Sequence, residues 1–502
     1  MYLEGAQAAQ TIGVKHPPRA RARRAGLFAA LLFVAAHAAL ALAMRQVYQL
    51  ATLHALAVLA AGLGVAVFGR RPMQVGYVAA YIAGAEVLWR MSDAQVPWEF
   101  GKYATVVIFA AALMRLPRLR VPALPVVYFA LLLPATLLTL SYLSPEEARQ
   151  QISFNLSGPL ALAASAVFFA HAKLSREQLS KTFLMLLAPV VGIACVTLFG
   201  VLSAANLSFG GEANSAASGG FGPNQVSASL GLGALVAFWF VMDARADWRA
   251  RGAAFAALIF LVVQSALTFS RGGLYNAAGA IVIAALFLLR NARARATLVV
   301  FVALLSVATY FVLLPRLDAV TGGALFERFQ DTSLTGRDVL IRADLGIWLE
   351  NPVWGVGPGR SALMHLALFR DSASHTEFSR LVAEHGALGL VSILLLVAMA
   401  FRNVSRAGGA TGKALAASLV AWSFLFMMNV AMRTVAPSLL VGLTFARLLT
   451  DGDALGAPDR RRGLWTYATI DSAPDGAARA AAAAAGRGAN VRSFFGRSSN
   501  NG

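Results

Sequence analysis

Arg271, Arg337, Arg433 and His375 are the side chains of this sequence best suited to chemistry. Arg271 lies in Phe269-Ser270-Arg271-Gly272-Gly273, where two glycines let the backbone turn sharply and approach a ligand closely. Arg337 follows Gly336 and opens a segment, DVLIRADLGIWLEN, whose Leu340, Ala343 and Ile347 recur at helical spacing and which stops at Asn351-Pro352. Helix starts attract phosphate-like anions, so Arg337 is a candidate anion ligand. Arg433, at an expected turn between the last two spans, is a weaker candidate for the same role. His375, in Ser374-His375-Thr376-Glu377, heads another helix, and imidazole is the side chain best suited to take a proton near neutral pH. Together these residues suggest fixed anion binding beside a proton acceptor.

The bland readings are specific. Arg271 could be a snorkelling anchor, and His375 a solvated loop histidine. Arg342 lies four residues after Asp338, and Arg380 lies between Glu377 and Glu384 at helical spacing. These are expected to be ion pairs that hold their helices. The turn Gly355-Val356-Gly357-Pro358-Gly359 resembles a phosphate loop only superficially, because no strand precedes it and no Lys-Ser/Thr follows. It reads as a rigid reversal. Pro223 and Asn224, at the end of the Gly-rich stretch Gly210–Gln225, suit the first turn of a helix. His37, His54, His365, His385 and Glu86 receive no role.

The elements that must position these residues are membrane helices. Hydrophobic residues make up 58% of the 502-residue chain and charged ones 13%, and apolar runs long enough to cross a bilayer recur throughout. The expected fold is an all-α polytopic membrane protein with about fourteen spans, twelve to fourteen being compatible with the pattern. The spans are expected near 27–44, 50–68, 73–90, 102–114, 122–143, 154–171, 182–203, 224–242, 253–270, 274–290, 296–314, 386–401, 414–432 and 434–449. A basic N-terminus (1–26) precedes the first part of the membrane domain (27–314). One large polar loop (315–385), with amphipathic helices at the membrane surface, separates it from the last spans (386–449).

Charge orients the chain. The net charge of +19 would suggest nucleic acid in a soluble protein, but here it is spread over short loops. Arg70 and Arg71, Arg115 and Arg118, Arg245 and Arg249, Arg290 and Arg293, and Arg402 and Arg406 all fall on one side. The positive-inside rule makes that side cytoplasmic, puts both termini there and turns the long loop outward, to the periplasm in a bacterium. Nucleic acid is therefore not an expected partner. Arg19, Arg21, Arg23 and Arg24 before an apolar run imitate a signal peptide, but the run is long and further spans follow, so an uncleaved first helix is expected. The Ala-, Gly- and Arg-rich tail (450–502) cannot bury a core and reads as disordered. A single cysteine, Cys195, provides no disulfide framework, and the loop shows no metal-ligand spacing.

Four stretches carry a resemblance. FGPNQVSASLGLG, SRGG, TGRDVLIRADLGIWLENPVWGVGPG and HTEFSRLVAEHGALG occur in this order over about a third of the chain. They resemble the outward motifs of the O-antigen ligase and polymerase superfamily, the lipid-linked glycan transferases of bacterial envelopes. The resemblance implies an inner-membrane enzyme without metal or other cofactor, whose donor is an undecaprenyl-diphosphate-linked glycan. The acceptor would be a glycan or lipid A-core. It further implies that Arg271 and Arg337 hold the diphosphate and that His375 activates the acceptor hydroxyl. Thr376 and Ser379 depart from the asparagine and leucine usual in the family, which blurs the subfamily. Ligase and polymerase remain open. The rival from another class is a glycan transporter or flippase, which would favour internal repeats and polar groups at the bilayer midplane. A scaffold is the third.

Overall fold

The computed structural model describes residues 19–203, 212–331, 336–368 and 376–448. These residues form an almost wholly helical molecule. Ten of the helices are long and apolar enough to cross a membrane. They are α1 (Arg19–Gln46), α2 (Tyr48–Phe68), α7 (Pro145–Phe169), α8 (Arg176–Ser203), α9 (Pro223–Val241), α10 (Trp248–Leu267), α11 (Arg271–Leu288), the continuous run Ala292–Thr321, α17 (Glu377–Arg406) and α18 (Gly409–Val430). The run Ala292–Thr321 comprises α12 (Ala292–Ala308), a π turn and α13 (Leu314–Thr321).

The other four expected spans take different forms. The first, α3 (Met73–Met91), is helical throughout, but Gln74, Glu86 and Arg90 make it more polar than the ten, and most of it is buried. The second, α4 (Phe100–Leu113), has only 14 residues. The stretch expected at 122–143 breaks into α5 (Ala123–Ala130) and α6 (Thr136–Tyr142). Pro134, which lacks an N–H and clashes with the preceding turn, lies between them. The last stretch has only the eight-residue α19 (Ala436–Leu443). Beyond it, Arg447–Leu448 (β2) pairs in parallel with Lys173–Leu174 (β1). Hydropathy counts apolar residues, but it does not register a proline break or where a helix stops.

The polar stretch is itself largely helical. The helix before it runs on to Thr321, past the expected end at 314. Then come α14 (Ala324–Gln330), α15 (Arg337–Glu350) and α16 (Arg360–Leu368). As expected, α15 stops before Asn351-Pro352 and buries Leu340 and Ile347. The reversal Gly355–Gly359 has three glycines at positive φ. It docks against a kink in α17, where Gly386 also has positive φ. Val356 and Gly357 donate to the carbonyls of Ala383 and Glu384 at 3.0 and 2.9 Å, so those N–H groups serve the fold rather than a phosphate.

Close helix packing gives the Ser270–Gly273 motif a different use from the one expected. The left-handed residue of the turn is Phe269, with φ 57°, whereas Gly272 and Gly273 lie inside the first turn of α11. A Cβ on Gly273 would stand 1.9 Å from the Ser227 carbonyl of α9, and one on Gly231 would stand 2.1 Å from the carbonyl of Gly273. These small residues let two backbones touch, as small-residue contacts do between membrane helices. The Gly273→Ala variant should lose about 1–3 kcal/mol of stability from overpacking. Gly272→Ala should be tolerated, since its Cβ would meet Asn429 no closer than 3.8 Å. Thermal unfolding of the two purified variants checks this, and equal midpoints would contradict it.

Candidate functional site

Three guanidinium groups converge where α10 turns into α11. Phe269 is fully buried and packs with Ala266 and Leu325, which seats α14 against the turn. Arg328 of α14 is thereby carried to the Ser270–Gly273 motif. Its Nε donates to the Phe269 carbonyl at 3.2 Å, and its Nη1 pairs with Asp331 at 3.2 Å. Arg271 reaches back, donating to the carbonyls of Arg328 and Asp331.

Arg337 arrives from another direction. It is the first residue of α15, behind Gly336 in the left-handed region. Its Nη1 donates to Asn429 Oδ1 at 3.1 Å, near the end of α18. Asn429 is itself held by Asn276 of α11, at 3.0 Å. One amide therefore links Arg337 to the helix that Arg271 begins. Burial holds the Arg337 and Arg328 guanidiniums below the ordinary arginine range. Arg271 adds to that push on both, and Arg328 adds to it on Arg337. Clustered, partly dehydrated cations of this kind are stabilised by an anion.

The elements named in the sequence meet here. As expected, α9 begins at Pro223. Asn224 then accepts from Ser270 Oγ at 2.8 Å, joining the Pro-Asn helix start to the Arg271 motif. The segment after His375 is also anchored. Thr376 caps α17, and Ser379 Oγ donates to Asp344 Oδ2 of α15 at 2.6 Å. The buried Asp344 also lies 3.1 Å from His365 Nε2, which gives that histidine a structural setting. His375 itself lies outside the described residues, as do most of the N-terminal segment 1–26 and the tail 450–502.

Arg433 belongs to a neighbouring, smaller cavity of about 50 Å³, lined also by Asn155, Glu377, Arg380 and Glu384. This leaves room for a few waters rather than a sugar ring. The expected ion pairs of Arg380 are present, at 2.5 Å to each glutamate. The expected Arg342–Asp338 pair is also formed, at 2.5 Å.

Two contributions lie outside the sequence motifs. Arg328 lies in no motif, and its one local signal, Asp331 three residues on, predicts an ion pair rather than a place beside Arg271. Glu86 stands in no motif either, although its spacing from Arg90, four residues on in an apolar helix, is a readable pairing signal. The two are 2.6 Å apart and buried. Arg90 also donates to Gln225 Oε1 at 2.7 Å and to the Arg433 carbonyl at 3.1 Å, while Glu86 accepts from the Val435 N–H at 2.7 Å. The pair ties α3 to the start of α9 and to the loop that carries Arg433.

Comparison with known proteins gives one family. Residues 256–394 match the family model described as O-Antigen ligase, a stretch that runs from within α10 into α17 and contains Arg271, Arg328, Arg337 and His375. No curated protein matches the chain. The match supports a glycan-transfer role in a multi-pass membrane protein.

Proposed function

We propose that this chain, which matches the O-antigen ligase family over residues 256–394, transfers a glycan from an undecaprenyl-diphosphate carrier to an acceptor hydroxyl at the periplasmic face of the bacterial inner membrane. The observation that supports this reading best is the convergence of Arg271, Arg328 and Arg337 within the matched stretch. Arg271 and Arg337 hold the two phosphates, and Arg328 braces Arg271 through its backbone carbonyl. His375 takes the proton from the acceptor hydroxyl. The acceptor oxygen bonds to the anomeric carbon while the bond from that carbon to the diphosphate oxygen breaks. The negative charge that develops on the leaving diphosphate meets fixed guanidiniums, which supply the stabilisation without a metal. Attack opposite the leaving group inverts the anomeric centre.

The acceptor decides between polymerase and ligase. In nanodiscs supplied only with lipid-linked repeat units, a polymerase yields a ladder of products. A ligase yields a single transfer once lipid A-core is added. In either case His375→Ala should lower turnover by about 10²–10⁴-fold, the usual contribution of a positioned base. Full activity in that variant removes His375 from the mechanism. A product that retains the donor's anomeric configuration removes the single displacement. If the donor is never consumed under either condition, the transporter reading takes over.

A further inference from the structure

A cavity of about 690 Å³ lies at the opposite end of the helices, where α17 ends and α18 begins. From Gly409, beside this cavity, α18 runs 22 residues to the end that holds Asn429 and Arg337. That is a rise of about 33 Å. Glycan transfer at the Arg271 cluster leaves this second cavity without a role.

Its lining is one-sided in charge. Among the described residues, Arg402, Arg406 and Arg447 contribute to it and no acidic residue does. Arg402 Nε is buried without a hydrogen-bond partner. Gly408, the N-cap of α18, also lines the cavity and, being glycine, gives that helix start no side-chain cap. The positive end of the helix therefore adds to the guanidinium charge. The remaining wall is largely apolar, and Leu179, Phe445 and Leu448 are among its half-buried members.

Arginines at the ends of spans can serve orientation alone, but for that they need only sit on short loops in water. Orientation requires neither an apolar-walled cavity nor a dehydrated guanidinium N–H. A buried donor needs an acceptor, and the apolar surface that Leu179, Phe445 and Leu448 leave uncovered favours hydrocarbon. An anion with acyl chains attached answers both.

We infer that this cavity binds an anionic phospholipid, with its phosphodiester on Arg402 and Arg406 and its acyl chains starting against Leu179, Phe445 and Leu448. Basic pockets between membrane helices recognise such headgroups through the same chemistry. The volume is within the usual range of ligand pockets, about 300–1,000 Å³. Asn403 already ties α17 to Thr444 at 3.0 Å, so a lipid here would join α17, α18 and the segment after α19.

The test uses the full-length protein in a neutral detergent, heated with phosphatidylglycerol, phosphatidylethanolamine or inorganic phosphate. Phosphatidylglycerol should raise the melting temperature, and the other two should not. In the Arg402→Gln/Arg406→Gln double variant its apparent affinity should fall on the order of thirtyfold, the product of two juxtamembrane charges. The Arg402→Lys/Arg406→Lys variant should keep most of it. Equal stabilisation by phosphatidylethanolamine would reduce the effect to general lipid solvation. An equal response to inorganic phosphate would make this a bare anion site, and an unchanged glutamine variant would remove the arginines; each overturns the assignment. Should the glutamine variant fail to fold, lipid retained by the wild-type protein on purification decides, and no enrichment of anionic over zwitterionic lipid overturns it. None of these readouts depends on glycan transfer, so the site can fail without affecting the proposed function.

Discussion

Arg337→Gln should abolish most donor turnover while leaving the protein as stable as before, or more so. The activity loss follows from the role of a fixed donor facing charge that appears only as the diphosphate leaves. Removing one such group costs about 10²–10³-fold in rate. Arg337→Lys should recover little, because a point charge on a flexible stem does not reproduce a planar fork already held by Asn429. The stability result has the opposite sign for a physical reason. Burial, Arg271 and Arg328 all depress the Arg337 pKa, so in the empty site its charged form is less favourable folded than unfolded. A neutral glutamine removes that penalty. Initial rates with purified lipid-linked donor, measured beside thermal unfolding, check both halves. A variant that unfolds as it loses activity would make Arg337 structural instead.

Arg380→Met should be the most damaging single change to stability. Arg380 is buried between Glu377 and Glu384, which are each about 1% exposed. Those carboxylates in turn hold the site's surroundings. Glu384 accepts from the Gly359 N–H at 2.7 Å and from Ser361 Oγ at 3.0 Å, while Glu377 accepts from the Met432 N–H at 3.2 Å. Removing the guanidinium leaves two carboxylates buried without their central cation, and breaking a buried pair in this way costs about 3–5 kcal/mol. The damage should spread to the Gly355–Gly359 reversal and to the loop bearing Arg433. A triple variant, Glu377→Gln with Arg380→Met and Glu384→Gln, should regain much of the loss, because the amide oxygens can still accept those N–H groups. Melting temperatures of the single and triple variants decide the matter. A single variant as stable as wild type would show that the network contributes nothing net.

Sequence by itself determined the features that depend on neighbours along the chain. The apolar runs identified a helical membrane protein because an isolated span must satisfy its own backbone in lipid. Pro223 began α9, Gly336 preceded the start of α15 and Asn351-Pro352 ended it, since each acts within one turn. The pairs Arg342–Asp338, Arg380–Glu377 and Arg380–Glu384 were readable because helical spacing alone brings them within reach. The resemblance to O-antigen ligases was carried by motifs of the same local kind. What tertiary structure decided lies between elements. Arg328 joins Arg271 only because Phe269 and Leu325 seat α14 on the turn, a contact that no periodicity encodes. Asn429 lies far along the chain from Arg337 and is an unremarkable amide until α18 brings it there. Gly273 looked like a turn residue, yet its missing side chain is used against Ser227 on another helix. In a bilayer the burial of apolar surface says that a segment is a helix, but not which helix it touches. Close packing and polar pairing make that choice, and both belong to surfaces that form only when the helices meet.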